Sequence, residues 1–149
     1  MSARRPVSRG QRGTSLAEFA VCFTASMLLI MGIVDFGRAM YAYHLISDVA
    51  RMGTRYAIVR GSSCTASDCP ATTTSVQTYV RGLAPELASS SMTVTTTWAT
   101  TSSCNASPAT SAGCMVTVAV SYPFKFAALP LLPNLTMPIN STSKMIISQ

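Results

Sequence analysis

The stretch Leu16–Val34, LAEFAVCFTASMLLIMGIV, carries one charged residue, Glu18, in nineteen positions. As a helix it extends about 28 Å, close to the ~30 Å hydrocarbon thickness of a bilayer. Charged residues make up only 11% of the 149-residue chain while hydrophobic residues make up 48%. That balance is about half the usual charged share of a soluble domain. It points to a chain solvated in part by lipid or by partner subunits.

Topology follows from the flanks. Arg4, Arg5, Arg9 and Arg12 precede the run, and the next basic residue after it is Arg38. By the positive-inside rule the N-terminus is cytoplasmic and the remainder lies across the membrane. The cysteines agree. Cys64, Cys69, Cys104 and Cys114 all lie downstream in polar, Ser/Thr-rich sequence, an even set that reads as two disulfides formed in an oxidising compartment. Four cysteines allow three connectivities, and loop proximity favours Cys64–Cys69 and Cys104–Cys114. Zinc is a poorer reading, because no Cys-x-x-Cys is present and the one histidine, His44, is far upstream. Cys22 is a small apolar residue of the run. A secretory signal is disfavoured, since Glu18 interrupts the apolar region and no Ala-x-Ala site follows. The net charge of +6 is concentrated around the run, with no basic stripe interleaved with aromatics, so no nucleic-acid partner is expected.

Three parts result: a basic cytoplasmic leader over 1–13, a long helix over 14–60 that spans the membrane at 16–34, and a head over 61–149 with disulfide-closed loops. Past the span, Ala42, Leu45, Val49, Met52, Tyr56 and Val59 recur in steps of three and four, with His44, Asp48, Arg51 and Arg55 opposite. Asp35–Arg38 and Asp48–Arg51 have i,i+3 spacing. Gly61 is expected to end the helix in a left-handed cap. Ser75 is expected to cap a second helix, Val76–Leu87, interrupted near Pro85. Met92–Trp98, Met115–Tyr122 and Pro138–Ile147 read as strands. The apolar stretch Phe126–Leu132 is too short to span and is expected to pack on the sheet or helix. The fold class is α+β: a long N-terminal transmembrane and amphipathic helix followed by a small antiparallel-sheet periplasmic domain, pilin-like in outline.

Two motifs bear on function. An acid inside an apolar span costs roughly 2.5–3.5 kcal/mol on insertion scales, so Glu18 calls for a partner or a place near the headgroups. Asp35, Phe36, Gly37 and Arg38 mark the exit of the span, with Tyr41 and Tyr43 as interfacial anchors. Asp35-Phe36-Gly37 is not the kinase metal triplet, because no glycine-rich loop or catalytic loop accompanies it. The acids Glu18, Asp35, Asp48, Asp68 and Glu86 are scattered, so no catalytic residues, cofactor or metal are expected.

The segment RGTSLAEFAVCF resembles a type IV prepilin processing site. The resemblance implies peptidase cleavage between Gly13 and Thr14, with Glu18 and Phe19 at the acidic and aromatic positions that follow. The new ammonium at Thr14 then pairs with the buried carboxylate of a neighbouring subunit and sets axial register. The larger stretch from Arg12 to Gly61, with GIVDFGRA and then Ala50, Arg51, Gly53, Arg55, Tyr56 and Ala57 as an A-R-x-G-x-R-Y-A helix end, is similar to the TadE-like family of minor pseudopilins in tight-adherence pilus systems. That resemblance implies a bacterial inner-membrane protein. Its partners would be the lipid bilayer, a prepilin peptidase, other pilin-like subunits and the pilus assembly proteins, and the resemblance also allows it a place in the extracellular pilus. The rivals are an uncleaved single-pass envelope protein and a membrane-tethered, adhesin-like binding module.

Overall fold

A computed structural model describes residues 11–87, 91–99, 104, 110–127 and 136–148. Helix α1 runs Gln11–Ile58, helix α2 Thr73–Leu83, and three strands follow: β1 Thr93–Trp98, β2 Met115–Lys125 and β3 Thr136–Ile146. This is the expected α+β architecture, a long apolar N-terminal helix followed by a small antiparallel sheet.

Helix α1 is 48 residues long with no proline to break it, about 72 Å from end to end. Its first half, from Thr14, stands free, and its second half is the floor on which the head is built. The buried face of that half is Ala42, Ile46, Val49, Ala50, Thr54 and Ala57. The stripe read from the sequence is therefore corrected: Ala42 and Val49 belong to it, but Met52 and Val59 are exposed and Leu45 and Tyr56 are half-buried. Apart from Ile46 and Val49 the buried face is made of small side chains, Ala42, Ala50, Thr54 and Ala57, which let the helix backbone come close to the head. Asp48 and Arg51, both exposed and both described, form no ion pair with each other.

The helix ends at Ile58, not near Arg60, and Gly61 does not take up a left-handed conformation. The chain instead turns over residues 59–63 and is tied back by Ala71 N donating to Arg60 O at 2.8 Å. Left-handed geometry falls on Gly113, φ +85°, in the turn leading into β2, where a residue without Cβ is tolerated at little cost.

Helix α2 starts three residues earlier than a cap at Ser75 would place it. Thr72 is the N-cap, receiving Ser75 N at 3.1 Å, while Thr72 N donates to Ser75 Oγ at 2.9 Å. Ser75 thus completes a reciprocal capping box instead of capping. The helix stops at Leu83, before Ala84 and Pro85, because the residue preceding proline is steered away from helical geometry. Val76 and Val80 face the core, and α2 crosses α1 at Gly53.

The sheet is a meander in the order β1-β2-β3, antiparallel throughout. Val116, Val118, Val120 and Phe124 on β2 alternate inward with period two and pack over α1 with Val94 of β1 and Ile139 of β3. Each buried valine of this kind contributes about 1.5–3 kcal/mol in transfer free energy. Strand β2 continues past Tyr122 through Pro123, which sits opposite Pro138, to Lys125 opposite Thr136. The β2–β3 pair therefore points the end where β2 finishes and β3 begins back along α1 toward the apolar run. Gln77 Nε2 donates to Val94 O at 3.0 Å, so α2 covers part of the β1 edge. Of the apolar stretch Phe126–Leu132, Phe126 packs against the core and Ala127 is exposed; residues 128–132 lie outside the described residues.

Candidate functional site

The free half of α1 presents its apolar side chains outward. Leu16 is 73% exposed, Phe19 70% and Leu29 64%. A helix of this composition with so little of its apolar surface covered is not the core helix of a water-soluble fold, and it is the one described helix long and apolar enough to cross a membrane. Its hydroxyls are satisfied internally: Thr24 Oγ1 donates to Ala20 O and Ser26 Oγ to Cys22 O, each at 2.8 Å. That is the arrangement a segment without water requires. Gly13 lies within α1, and Thr14 and Glu18 are exposed on it. Phe19 stacks on Phe23 with centroids 5.9 Å apart, one turn further on.

At the exit of the span the four-residue motif divides by helical geometry. Asp35 and Arg38, three apart, share the face toward the head; Phe36 and Gly37 flank it and are exposed. Asp35 is only 4% exposed. Arg38 Nη1 donates to its Oδ1 at 3.0 Å, and Ala127 N donates to its Oδ2 at 3.0 Å. Arg38 also sits over the Phe124 ring, 5.6 Å from the centroid. Asp35 is thus a clamp that holds the end of β2 against the helix, a role that spacing in the sequence does not reveal because its partner is 92 residues away. Tyr41 reaches the other side of the head, donating to Glu86 Oε2 at 2.7 Å. That hydrogen bond, with the Glu86 charge and some desolvation, raises the Tyr41 pKa above its ordinary 10.0.

The opposite end of α1 carries a second polar cluster that sequence reading missed. Tyr79 of α2 stacks on Tyr56 with centroids 4.3 Å apart, and the Arg60 guanidinium covers the Tyr56 ring at 3.9 Å. Arg60 Nε binds Asp68 Oδ2 at 2.6 Å, and the Tyr56 hydroxyl donates to the same oxygen at 3.2 Å. Asp68 belongs to the loop closed by Cys64–Cys69; a second disulfide joins Cys104 to Cys114. The signal that could have found this cluster is the i,i+4 pair Tyr56–Arg60 at the helix end.

The Arg60 hydrogen bond, outweighing desolvation, holds the Asp68 pKa below its ordinary 3.8. A carboxyl whose pKa is lowered on folding adds stability above its unfolded pKa and loses it as pH falls through the folded one. This contribution is therefore full at neutrality, begins to fall near about pH 5 as the unfolded carboxyl takes up protons, and goes on falling through 3.8 toward the lowered folded value. An Asp68→Asn variant should show a shallower loss of stability with falling pH in that acid range when both proteins are melted side by side. Superimposable acid limbs would show that the loop contact has no linkage to folding.

No group of three or more His, Cys, Asp or Glu among the described residues is arranged to hold a metal. No curated protein and no solved structure matches the chain. Residues 13–55, which take in Gly13, the exposed apolar run, the Asp35 clamp and most of the docking face of α1, match the family model of the TadE-like proteins.

Proposed function

We propose that the chain is a minor pilin-like subunit needed for assembly of a tight-adherence pilus, and not an enzyme. The observation that carries this reading is the TadE-like match, which begins at Gly13 and includes Glu18 and the Asp35–Arg38 exit. In this reading α1 is held in the bacterial inner membrane with the arginine-rich residues 1–13 in the cytoplasm and the disulfide-bonded head in the periplasm. The exposed face of the span is what neighbouring pilin-like helices pack against during assembly.

A prepilin peptidase cuts after Gly13, leaving residues 14–149. The new ammonium of Thr14 and the carboxylate of Glu18 lie about 6 Å apart along the axis, four residues at 1.5 Å. In a hydrocarbon environment an unpaired carboxylate is costly, so a neighbouring subunit whose ammonium meets Glu18 is favoured at one axial offset over others.

Production with and without a prepilin peptidase, followed by intact mass and N-terminal sequencing, tests the reading. A terminus at Thr14 is expected with the peptidase, and Gly13→Ala should accumulate the uncut chain. Glu18→Ala should still be cut but should fail to support pilus formation. If neither substitution changes processing or piliation, the pilin reading fails, and an uncleaved envelope protein or a tethered binding module takes its place.

A further inference from the structure

A groove of about 760 Å³ runs between α1 and the end of the β2–β3 pair where β2 finishes and β3 begins. Its lower wall is Leu28 and Gly32, both within the membrane run. Its upper wall is Phe126, Met137 and Pro138 of the head, with Phe36 between the two levels. The groove is therefore continuous with the lipid-facing surface of the span; among the described residues no polar rim separates the two. Among the described residues Asp35 is the one charged residue at its wall, and both carboxylate oxygens are engaged, by Arg38 and by Ala127 N. Polar groups enter only at the upper end, where Tyr43 and Asn140 stand, the tyrosine about 13 Å above the end of the span. Met137 is 56% exposed and Phe36 67%, large apolar surfaces at the level where a bilayer passes from acyl chain to headgroup. The floor is low because Gly32 and Ala39 are small.

An apolar trough open to hydrocarbon below and polar above has the polarity profile of a phospholipid. We propose that the groove takes up an acyl chain of a phospholipid from the leaflet on the head's side. The head is thereby seated on the bilayer through its hairpin end as well as through α1. The inference rests on α1 being a membrane span. It adds that the head touches lipid directly, and it identifies Met137, Pro138 and Phe126 as that contact.

The test uses the full chain reconstituted in phosphatidylcholine vesicles whose acyl chains are brominated near the headgroup, which quench tryptophan on contact. In a Trp98→Phe background, Met137→Trp reports the groove and Ile30→Trp reports the span. The native Trp98, opposite Val116 at the far end of the sheet, reports the top of the head. An apolar surface seated at the interface lies about 5–10 Å into the headgroup–acyl boundary, so Met137→Trp should lose roughly half its emission in brominated vesicles, as Ile30→Trp does, while Trp98 loses little. Phe126→Trp, a change between aromatic rings on the same wall, should follow Met137→Trp and guards against a misfolded variant. If Ile30→Trp is quenched but both head variants behave like Trp98, the groove does not hold lipid, although the span stands. Occupation by a second copy's helix or by residues 128–135 would give that same shielding and overturn the inference. If Ile30→Trp is also unquenched, the span reading falls and the inference with it.

Discussion

Asp35→Ala should lower the stability of the head by about 2–3 kcal/mol, read as a shift in denaturant midpoint from Trp98 fluorescence in detergent micelles. The carboxylate is almost wholly buried and receives Ala127 N and Arg38 Nη1, each at 3.0 Å. Removing it strands a backbone donor at the end of β2 and frees a guanidinium that is held between Asp35 and the Phe124 ring. Loss of one partner of a fully buried ion pair costs about 3–5 kcal/mol, but the Arg38 side chain is 52% exposed and water recovers part of its hydration. The lower figure is therefore the better expectation. Asp35→Asn keeps an acceptor for Ala127 N and should lose only about 1 kcal/mol. An Asp35→Ala protein within experimental error of the wild type would mean that the clamp is dispensable and that the hairpin end is held by apolar contact alone.

Gly53→Ala should destabilise by about 2 kcal/mol, although alanine is the better helix former by about 1 kcal/mol. A Cβ at Gly53 would run into Cγ2 of Val80, which is completely buried on α2. Val80 is β-branched and in a helix has one strongly preferred χ1 rotamer, so it cannot swing aside without strain. Either α2 moves outward and opens the core around Val118, or the valine goes off-rotamer. The same substitution at Gly82, where nothing lies within 4 Å of the added carbon, should be neutral or stabilising by up to about 1 kcal/mol. Gly53→Ala combined with Val80→Ala should cost less than the sum of the two single changes, and that coupling is the signature of direct contact. Equal responses at Gly53 and Gly82 would refute the close crossing.

These two positions also show what a linear sequence conveys and what it hides. The length of α1, the three strands, the TadE-like segment and the favoured cysteine pairs were all legible. Each depends on local composition, on period or on short separations. The face of α1 that docks the head was legible only at Ala42 and Val49, because alanine, glycine and threonine, which make up most of the rest, carry almost no hydrophobic signal although they permit the closest packing. Larger residues such as Met52 and Val59 dominated the periodicity and turned out exposed. Asp35 was read as a boundary marker, since nothing nearby in sequence announces a backbone amide far down the chain. The Ser75 cap was misplaced by three residues because Thr72 and Ser75 play reciprocal parts in one motif. The pattern around Gly13 and Glu18 is legible, but the cleavage and pairing proposed for it would each need a second protein chain.

The unbroken course of α1 through the span and under the head has a mechanical consequence. Span and head share one rigid shaft, so they also share one angular frame. Each residue advances the helix by about 100°, which fixes the bearing of Glu18 relative to Asp35 and hence relative to the sheet. A single residue inserted between Val34 and Asp35 would swing the head by about 100° around the axis without disturbing any contact inside it. Tilt and torque applied to the span are carried to the sheet with no hinge to absorb them. Whatever grips the span thereby aims the head.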